Sequence, residues 1–272
     1  MSEPFHTDMQ KSFSRFRNLI KPAFILCACI VTLGCVTPYV SPAEAALQGA
    51  ISRAESYYEG RRDLGNVQKA LAILRSHISS HPQDYEAWWR ISEYDCYLAR
   101  HVPDEQQKAI LEDGIAAGQK AESIDPHRPE GHFWTGANEG LLAQDVGLLK
   151  GLRMVDSIRE ELETVMKIDP NYQQYGAERL LGRFYYRAPF FKGGDKQRSV
   201  QLLEDCLKRY PDNSLTMLYL ADSYRAVGRR EDARRMLERI LHMDSEPGYG
   251  PELADNQAAA REELQRYFHA SR

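Results

Sequence analysis

MLYLADSYRAVGRREDARRMLERIL, residues 217–241, decides the fold of this chain. Its apolar and small residues recur three or four positions apart in two segments, and Gly228 lies between the segments. Residues at that spacing share one face of an α-helix, so each segment has an apolar face that must be buried. The stretch therefore predicts two short helices that pack against each other as a hairpin, with small residues where they cross.

Four more copies of this pattern come before residues 217–241 in the chain. The order of large, small and aromatic residues recurs between residues 54 and 211, and each copy closes on a proline. Because proline disfavours helix in the residue before it, each closing motif ends a second helix. The motifs are HPQ at 81–83, DPH at 125–127, DPN at 169–171 and YPD at 210–212. The pattern resembles the tetratricopeptide repeat, in which helical hairpins stack into a solenoid.

The repeats predict an all-α, tetratricopeptide-like solenoid of about five helical hairpins over residues 51–272. The copies are about 40 residues apart, longer than the usual period of about 34, so the turns within the hairpins are expanded. Residues 251–270 carry apolar positions at helical spacing among charged ones. They predict a terminal helix that covers the apolar face of the last repeat.

The first 45 residues differ from the repeats. Basic residues precede the apolar run AFILCACIVTLGCV at 23–36, which is the pattern of a secretory signal. The lipobox-like TLGC predicts a signal peptide over residues 1–35, a lipid on Cys35, and a linker over residues 36–50. Two alternatives stay open: cleavage after Ala45 in a soluble periplasmic protein, or an uncleaved anchor, for which the run is short. All three interpretations predict export. The preferred one, a lipid on Cys35, places the chain on the periplasmic side of a bacterial envelope, with the outer membrane favoured.

The five cysteines agree with export. Cys27, Cys29 and Cys35 lie in the signal segment, so Cys96 and Cys206 alone remain in the repeats. The sequence leaves open whether these two form a disulfide. The preferred interpretation is that each is a small apolar residue on a buried helix face.

The inserted turns carry the candidate binding residues. FYYRAPFFKGGDKQRSV at 184–200 is about five residues longer than the corresponding turn in the last repeat. Gly193 and Gly194 give its backbone freedom, and Asp195 is predicted to cap the next helix. The turn lacks the GxxxxGK[ST] spacing of a phosphate loop and follows a helix rather than a strand.

A second insert, at 140–155, is apolar and contains glycine, so the inserts together predict a closed cavity at one edge of the solenoid. The candidate contacts for an apolar ligand or a protein partner are Trp134, Leu141, Leu148, Leu149, Tyr185, Tyr186, Phe190 and Phe191. Packing in the core is the preferred interpretation for the aromatic residues among them. A cavity lined by Leu141, Leu148, Leu149 and Phe190 would favour ligand binding. A filled core with an open polar groove would favour a scaffold.

One family combines these features. Helical repeats with expanded turns, the Pro189–Asp195 hairpin with its GGD, an exported N-terminus and a C-terminal helix beginning near Asn256 resemble the T-components of TRAP transporters. The resemblance covers roughly residues 51–270, and its specific part is RFYYRAPFFKGGDKQRSVQLLEDCLKRYPDN. It implies a periplasmic, lipid-anchored binding or docking component whose partner is a periplasmic solute-binding protein. The alternative function is a tetratricopeptide-repeat scaffold lipoprotein for envelope or pilus assembly.

Several functions are not supported by any motif. The eight histidines show no HExxH or other metal spacing, and neither GxSxG nor a Cys-His pattern is present. The sequence therefore predicts no enzyme, no metal and no cofactor. The net charge of −4 does not favour nucleic acid as a partner. The sequence leaves open whether the chain forms a homo-oligomer.

Overall fold

A computed structural model describes residues 42–145 and 148–268 of the chain. These residues form eleven α-helices and one short 3-10 turn, and no strand. The helices are α1 Pro42–Glu59, α2 Leu64–Ser80, α3 Tyr85–Ala99, α4 Asp104–Ile124, α5 Pro129–Asp145, α6 Leu148–Ile168, α7 Tyr172–Arg187, α8 Lys196–Arg209, α9 Ser214–Ala226, α10 Arg230–Leu241 and α11 Gly250–Phe268. The predicted signal peptide and Cys35 lie outside the described residues.

Consecutive helices pair as hairpins, from α1 with α2 to α9 with α10, and α11 packs against both helices of the last pair. The all-α class, the helical hairpins and the C-terminal capping helix are therefore confirmed. No described helix has the length and apolar character that a membrane span requires.

Side-chain caps start four of the helices. In each, a carboxylate or amide oxygen accepts a hydrogen bond from a backbone N–H of the first turn, which contributes about 1 kcal/mol. The capping residues are Asp63, Asp84, Asp195 and Asn213. Asp84 and Asn213 directly follow the closing motifs HPQ and YPD, and Asp195 lies in the inserted turn.

Small residues allow the helices of each hairpin to cross closely. A Cβ on Gly182 of α7 would lie 2.6 Å from Cγ of Leu203 on α8, which is closer than packed carbon atoms come. Ser199 of α8 donates to the carbonyl oxygen of the same Gly182 over 2.7 Å. In the last hairpin Ala221 and Ala233 are fully buried at the equivalent crossing.

The C-terminal helix also reaches the first two hairpins. Arg61, which follows α1, pairs with Glu252 of α11, and Nη2 of Arg61 donates to the carbonyl oxygen of Gly248 over 2.9 Å. His101, which follows α3, lies 2.9 Å from Oδ2 of Asp255 through its Nε2. The two ends of the solenoid therefore meet, which a capping helix alone does not require.

Candidate functional site

A cavity of about 750 Å³ lies inside the curve of the solenoid. Its wall comes mainly from the first helix of each hairpin, α1, α3, α5, α7 and α9, with additions from α6 and α11. A smaller cleft of about 240 Å³ shares Arg100, Leu141 and Gln144 with this wall. Small-molecule sites range roughly from 300 to 1,000 Å³, so the cavity has the size of a ligand site.

One part of the wall is apolar and is contributed by α5, α6 and α7. Its residues are Leu141, Leu152, Val155, Ile158, Leu180 and Phe184. Each CH₂ group of a ligand that leaves water for this part of the cavity contributes about 0.8 kcal/mol to the free energy of binding. The apolar wall therefore suits an aliphatic chain.

Arginines form another part of the wall. Nη1 of Arg183 lies 2.6 Å from Oδ2 of Asp222, and Nη2 of Arg187 donates to Oε1 of Gln144 over 3.0 Å. Arg100, at the C-terminal end of α3, makes neither an ion pair nor a side-chain hydrogen bond with any described residue. The side chain of Arg100 is exposed at the cavity wall; the atoms around it act to lower its pKa by desolvation, but the nearby phenol of Tyr219 and other groups raise the pKa overall. The guanidinium stays charged and is free to bind an acidic group.

Two further donors on the wall lack an acceptor. Nε1 of Trp134 and Nε of Arg179 are buried and have no hydrogen-bond partner among the described residues. A buried donor without a partner costs roughly 1–3 kcal/mol. These two buried donors favour a ligand that supplies acceptors.

The start of α7 is strained where it reaches the cavity. Gln173, Gln174 and Tyr175 have φ angles of 51°, 54° and 59°, a left-handed turn of three residues that are not glycine. Each such residue costs roughly 1–2 kcal/mol. Arg179 holds the turn by donating to the carbonyl oxygens of Gln174 and Gln173 over 3.1 and 3.2 Å. Strained turns of this kind are concentrated at functional sites, and Gln173 lines the cavity.

A carboxyl group also faces the cavity. Glu93 of α3 lies on the wall, and burial raises its pKa to about 7, although Arg90 and Arg61 act in the opposite direction. Glu93 and Arg100 lie seven residues apart and therefore on one face of the α3 segment. The sequence analysis named neither residue, although two charged residues at this spacing beside apolar Cys96 and Tyr97 are the signal that could have found them.

The candidate residues named from the sequence fall into three places. Trp134 and Leu141 line the cavity. Tyr185 is buried in the core with Phe184 and Leu181, and the guanidinium of Arg198 lies over its ring. Tyr186 is half-buried at the surface under Lys196.

Three of the remaining candidates lie outside the cavity. Phe190 is 91% exposed, Phe191 74% and Leu149 78%, and none of the three lines the wall. The side chain of Leu148 lies outside the described residues. The apolar insert reaches the cavity through Gly151, Leu152 and Val155 instead, because the side chains of α6 that face inward begin one turn later.

The glycine turn is a structural link between α7 and α8. Gly193 has a φ of 87°, in the left-handed region that glycine adopts without strain. A Cβ on Gly194 would overlap the carbonyl group of Ala188, so the chain can pass there only without a side chain. Oδ1 of Asp195 accepts hydrogen bonds from the N–H groups of Gln197 and Arg198 and caps α8.

Cys96 and Cys206 are both buried and unpaired in the structure. Cys96 lines the cavity, whereas Cys206 is packed between α7 and α8 with its Sγ 3.8 Å from the carbonyl oxygen of Tyr175. Burial raises the pKa of both thiols to about 12. Both behave as small apolar residues, as the sequence analysis expected.

Away from the cavity, the structure brings together three side chains that the sequence analysis did not connect. Glu122, His132 and Glu161 lie on α4, α5 and α6, and their nearest ligand atoms are within 4.8 Å of one another. The expectation of no metal site rested on spacing along the chain. Spacing misses this group because its members come from three helices.

Comparison with known proteins places the chain in a family. The profile of the family described as Regulator of microtubule dynamics protein 1-3 matches residues 50–189, just over half of the chain. The chain belongs to this family. The matched segment runs from α1 to the end of α7 and so includes the α3, α5 and α6 parts of the cavity wall. A tetratricopeptide-repeat profile matches residues 191–249, which hold α8, α9 and α10.

Solved structures agree with the repeat fold. The chain is similar to TTC0263, a thermophilic tetratricopeptide-repeat protein of Thermus thermophilus, with a TM-score of 0.59 and 18% identity over 80% of this chain and 98% of that one. It is also similar to PilF of Pseudomonas aeruginosa, with a TM-score of 0.50 and 15% identity over 82% of this chain and 95% of that one. At such low identity the similarity shows the fold alone. No curated protein matches the chain significantly in sequence.

Proposed function

We propose that this chain is a non-enzymatic binding protein whose concave cavity holds an amphiphilic small molecule with an acidic head and an apolar tail. The observation that supports this most is the composition of the wall. Arg100 makes no ion pair with the described residues, and the same cavity presents the apolar side chains of Leu141, Leu152 and Val155. The acidic head pairs with Arg100, and the tail lies along α5 and α6.

The donors on the wall support the same chemistry. Trp134 and Arg179 each bury an N–H group without an acceptor. A carboxylate or phosphate head supplies acceptors only, so it complements these donors and does not add to their number. Glu93 also faces the cavity, and its raised pKa lets it enter a neutral state that does not repel an acidic ligand.

The test uses dodecanoate as the acidic probe and dodecanol as a neutral probe with the same tail. Isothermal titration of the full chain should show dodecanoate binding at least about tenfold more tightly than dodecanol, and Arg100→Gln should remove that difference. Ala137→Trp fills the cavity from α5 and should abolish binding of both probes. Ala116→Trp, on the exposed face of α4, is the matched control and should bind like the original chain. Absence of binding, or binding that Ala137→Trp leaves unchanged, contradicts the proposal.

A second role follows from the surface. Tetratricopeptide-repeat proteins typically bind protein partners, and here Phe190 and Phe191 are exposed side by side at the inserted turn. We propose that this turn is where a protein partner docks. The partner suggested by the resemblance to TRAP T-components is a periplasmic solute-binding protein, and the alternative is an envelope or pilus assembly component. Co-purification from the native membrane with the original chain, but not with the Phe190→Ser/Phe191→Ser double variant, would support docking at this turn.

The place of action is part of the proposal. The basic and apolar N-terminal pattern supports export to the periplasm and attachment through a lipid on Cys35. In membrane fractionation, Cys35→Ala should move the protein to the soluble fraction, and unchanged membrane association would contradict the anchor. No feature of the cavity relates to microtubule dynamics, which the family description names for its members.

A further inference from the structure

Three helices bring two carboxylates and one imidazole to a single point. Nδ1 of His132 lies 2.7 Å from Oε2 of Glu161 and 3.9 Å from Oε2 of Glu122. Zn²⁺ binds carboxylate oxygen and imidazole nitrogen at about 2.0–2.2 Å, so two ligand atoms on a tetrahedral ion are about 3.4 Å apart. The two observed distances lie on either side of that value. All three ligand atoms lie within 4.8 Å of one another, so side-chain rotation can bring them onto one ion.

Contacts outside the group orient two of the three ligands. Nε2 of His132 lies 3.1 Å from the carbonyl oxygen of Pro126. A carbonyl oxygen only accepts hydrogen bonds, so Nε2 carries a hydrogen, and Nδ1 donates a second hydrogen bond to Oε2 of Glu161 that a metal ion would replace. Oγ1 of Thr135 donates to Oε1 of Glu122 over 2.5 Å, which leaves Oε2 for the group. Histidine and carboxylate ligands of metals are held by backbone carbonyls and hydroxyls in this manner.

A third carboxylate lies in the same seam, and one of its two oxygens has no hydrogen-bond partner among the described residues. Glu139 is only 7% exposed, and its Oε2 makes no hydrogen bond with any described residue. Ser157 donates to the other oxygen, Oε1, over 2.9 Å, and Ser157 precedes Glu161 by one turn of α6. Glu139 follows His132 by two turns on the same face of α5. A cation in the seam would stabilise this buried oxygen, which lies near the carboxylates of Glu122 and Glu161.

The helices approach closely at this point because α5 has a glycine there. A Cβ on Gly136 would lie 3.2 Å from Cβ of Glu161, so a larger residue would push α6 away. None of Glu122, His132 and Glu161 lines the cavity, although Gly136 of the same seam does. The group is therefore separate from the proposed ligand site, although it joins two helices that line it.

We propose that Glu122, His132 and Glu161 bind one divalent transition-metal ion, with Zn²⁺ preferred over Mg²⁺ and Ca²⁺. The imidazole sets this preference, because Mg²⁺ and Ca²⁺ are bound by oxygen ligands whereas Zn²⁺ accepts nitrogen and oxygen together. Three protein ligands leave a fourth position for water. Bound in this way, the ion ties α4, α5 and α6 together behind the cavity wall.

The experiment is titration of the full chain, without a polyhistidine tag, with Zn²⁺ and with Co²⁺. Calorimetry should show one tight Zn²⁺ site per chain that excess Mg²⁺ does not compete for, and Co²⁺ should give the visible absorption of a four-coordinate ion. His132→Gln and Glu161→Gln should each weaken Zn²⁺ binding by more than tenfold, and Thr135→Val by about tenfold. The matched controls are His127→Gln, in the exposed turn before α5, and Glu160→Gln, on the exposed face of α6, and both should leave the affinity unchanged.

The proposal is overturned if the original chain shows no saturable Zn²⁺ site, or if His132→Gln and Glu161→Gln both bind Zn²⁺ like the controls. Circular dichroism establishes that each variant is folded. Should His132→Gln fail to fold, Glu161→Gln, which keeps the shape of the side chain, decides the question. Zn²⁺ should raise the melting temperature of the original chain and leave that of Glu161→Gln unchanged.

Discussion

Arg61 and Glu252 form a two-point ion pair across 191 residues of sequence. Nε and Nη2 of Arg61 donate to Oε1 and Oε2 of Glu252 over 2.9 and 2.7 Å, and both side chains are largely buried, with 11% and 18% of their surfaces exposed. The guanidinium also lies over the ring of Tyr58. The pair joins the first hairpin to the last helix and so closes the cavity from the side.

Glu252→Gln should lower the free energy of unfolding by about 2 kcal/mol, because the buried guanidinium of Arg61 keeps its desolvation cost and loses its charged acceptor. Urea unfolding measures the change. Glu262→Gln is the matched control, since it breaks an exposed pair with Arg266 four residues away on the same helix and should cost less than about 0.5 kcal/mol. Equal losses for the two variants would show that the closure between the chain ends does not contribute to stability.

The hairpins could be predicted from the sequence because their signals are local. The small residues at helix crossings, the closing prolines and the cap at Asp195 depend on residues within one repeat, and each was found there. The contact of Arg61 with Glu252 depends instead on the curvature summed over all five hairpins. This curvature depends on the packing of every hairpin, and no local pattern predicts it.

Local sequence patterns also predict only part of the candidate site. Trp134 and Leu141 were found because they belong to the inserted repeat, but Arg100 faces them only after the solenoid has curved. Phe190 and Phe191 were candidates because they are aromatic, yet hydrophobicity alone does not show on which side of a turn a side chain lies. The group around His132 needs three helices in place before its members meet.

Two glycine substitutions should change stability in opposite directions. Gly182→Ala places a Cβ 2.6 Å from Leu203 and should lower the free energy of unfolding by about 1–3 kcal/mol. Gly140→Ala, also within a helix, has no atom within 4 Å of the added Cβ and should raise it by up to about 1 kcal/mol through helix propensity. Urea unfolding of both variants is the measurement. If Gly182→Ala were as stable as the original chain, close packing of α7 on α8 would not be what requires a glycine there.

The carboxyl of Glu93 should make stability depend on pH. Burial raises its pKa from 4.5 to about 7 in the folded chain, so the folded state binds the proton more tightly than the unfolded state does. Between pH 4.5 and pH 7 the unfolded state therefore loses this proton first, and the free energy of unfolding falls as the pH rises. Glu93→Gln removes this loss and should be more stable than the original chain at pH 8, by about 1–2 kcal/mol, with no such gain at pH 4.

Urea unfolding at the two pH values gives the difference between variant and original chain, which cancels the contribution of other buried carboxyls such as Asp95. Glu262→Gln, on the exposed face of α11, is the matched control. A gain for Glu93→Gln that is the same at pH 4 and pH 8 would show that the charge of Glu93 is not its cause.

Cys96 should report whether the cavity is filled. Burial raises the pKa of both Cys96 and Cys206 to about 12, so roughly one thiol in ten thousand is ionised at pH 8 and alkylation is slow for each. Cys96 lines the cavity, whereas Cys206 is closed off between α7 and α8, so iodoacetamide should modify Cys96 first. Dodecanoate should then slow modification of Cys96 and leave the rate at Cys206 unchanged. Peptide mapping by mass spectrometry separates these two cysteines from Cys27, Cys29 and Cys35. Equal protection of Cys96 and Cys206 would mean that dodecanoate stabilises the whole fold without entering the cavity.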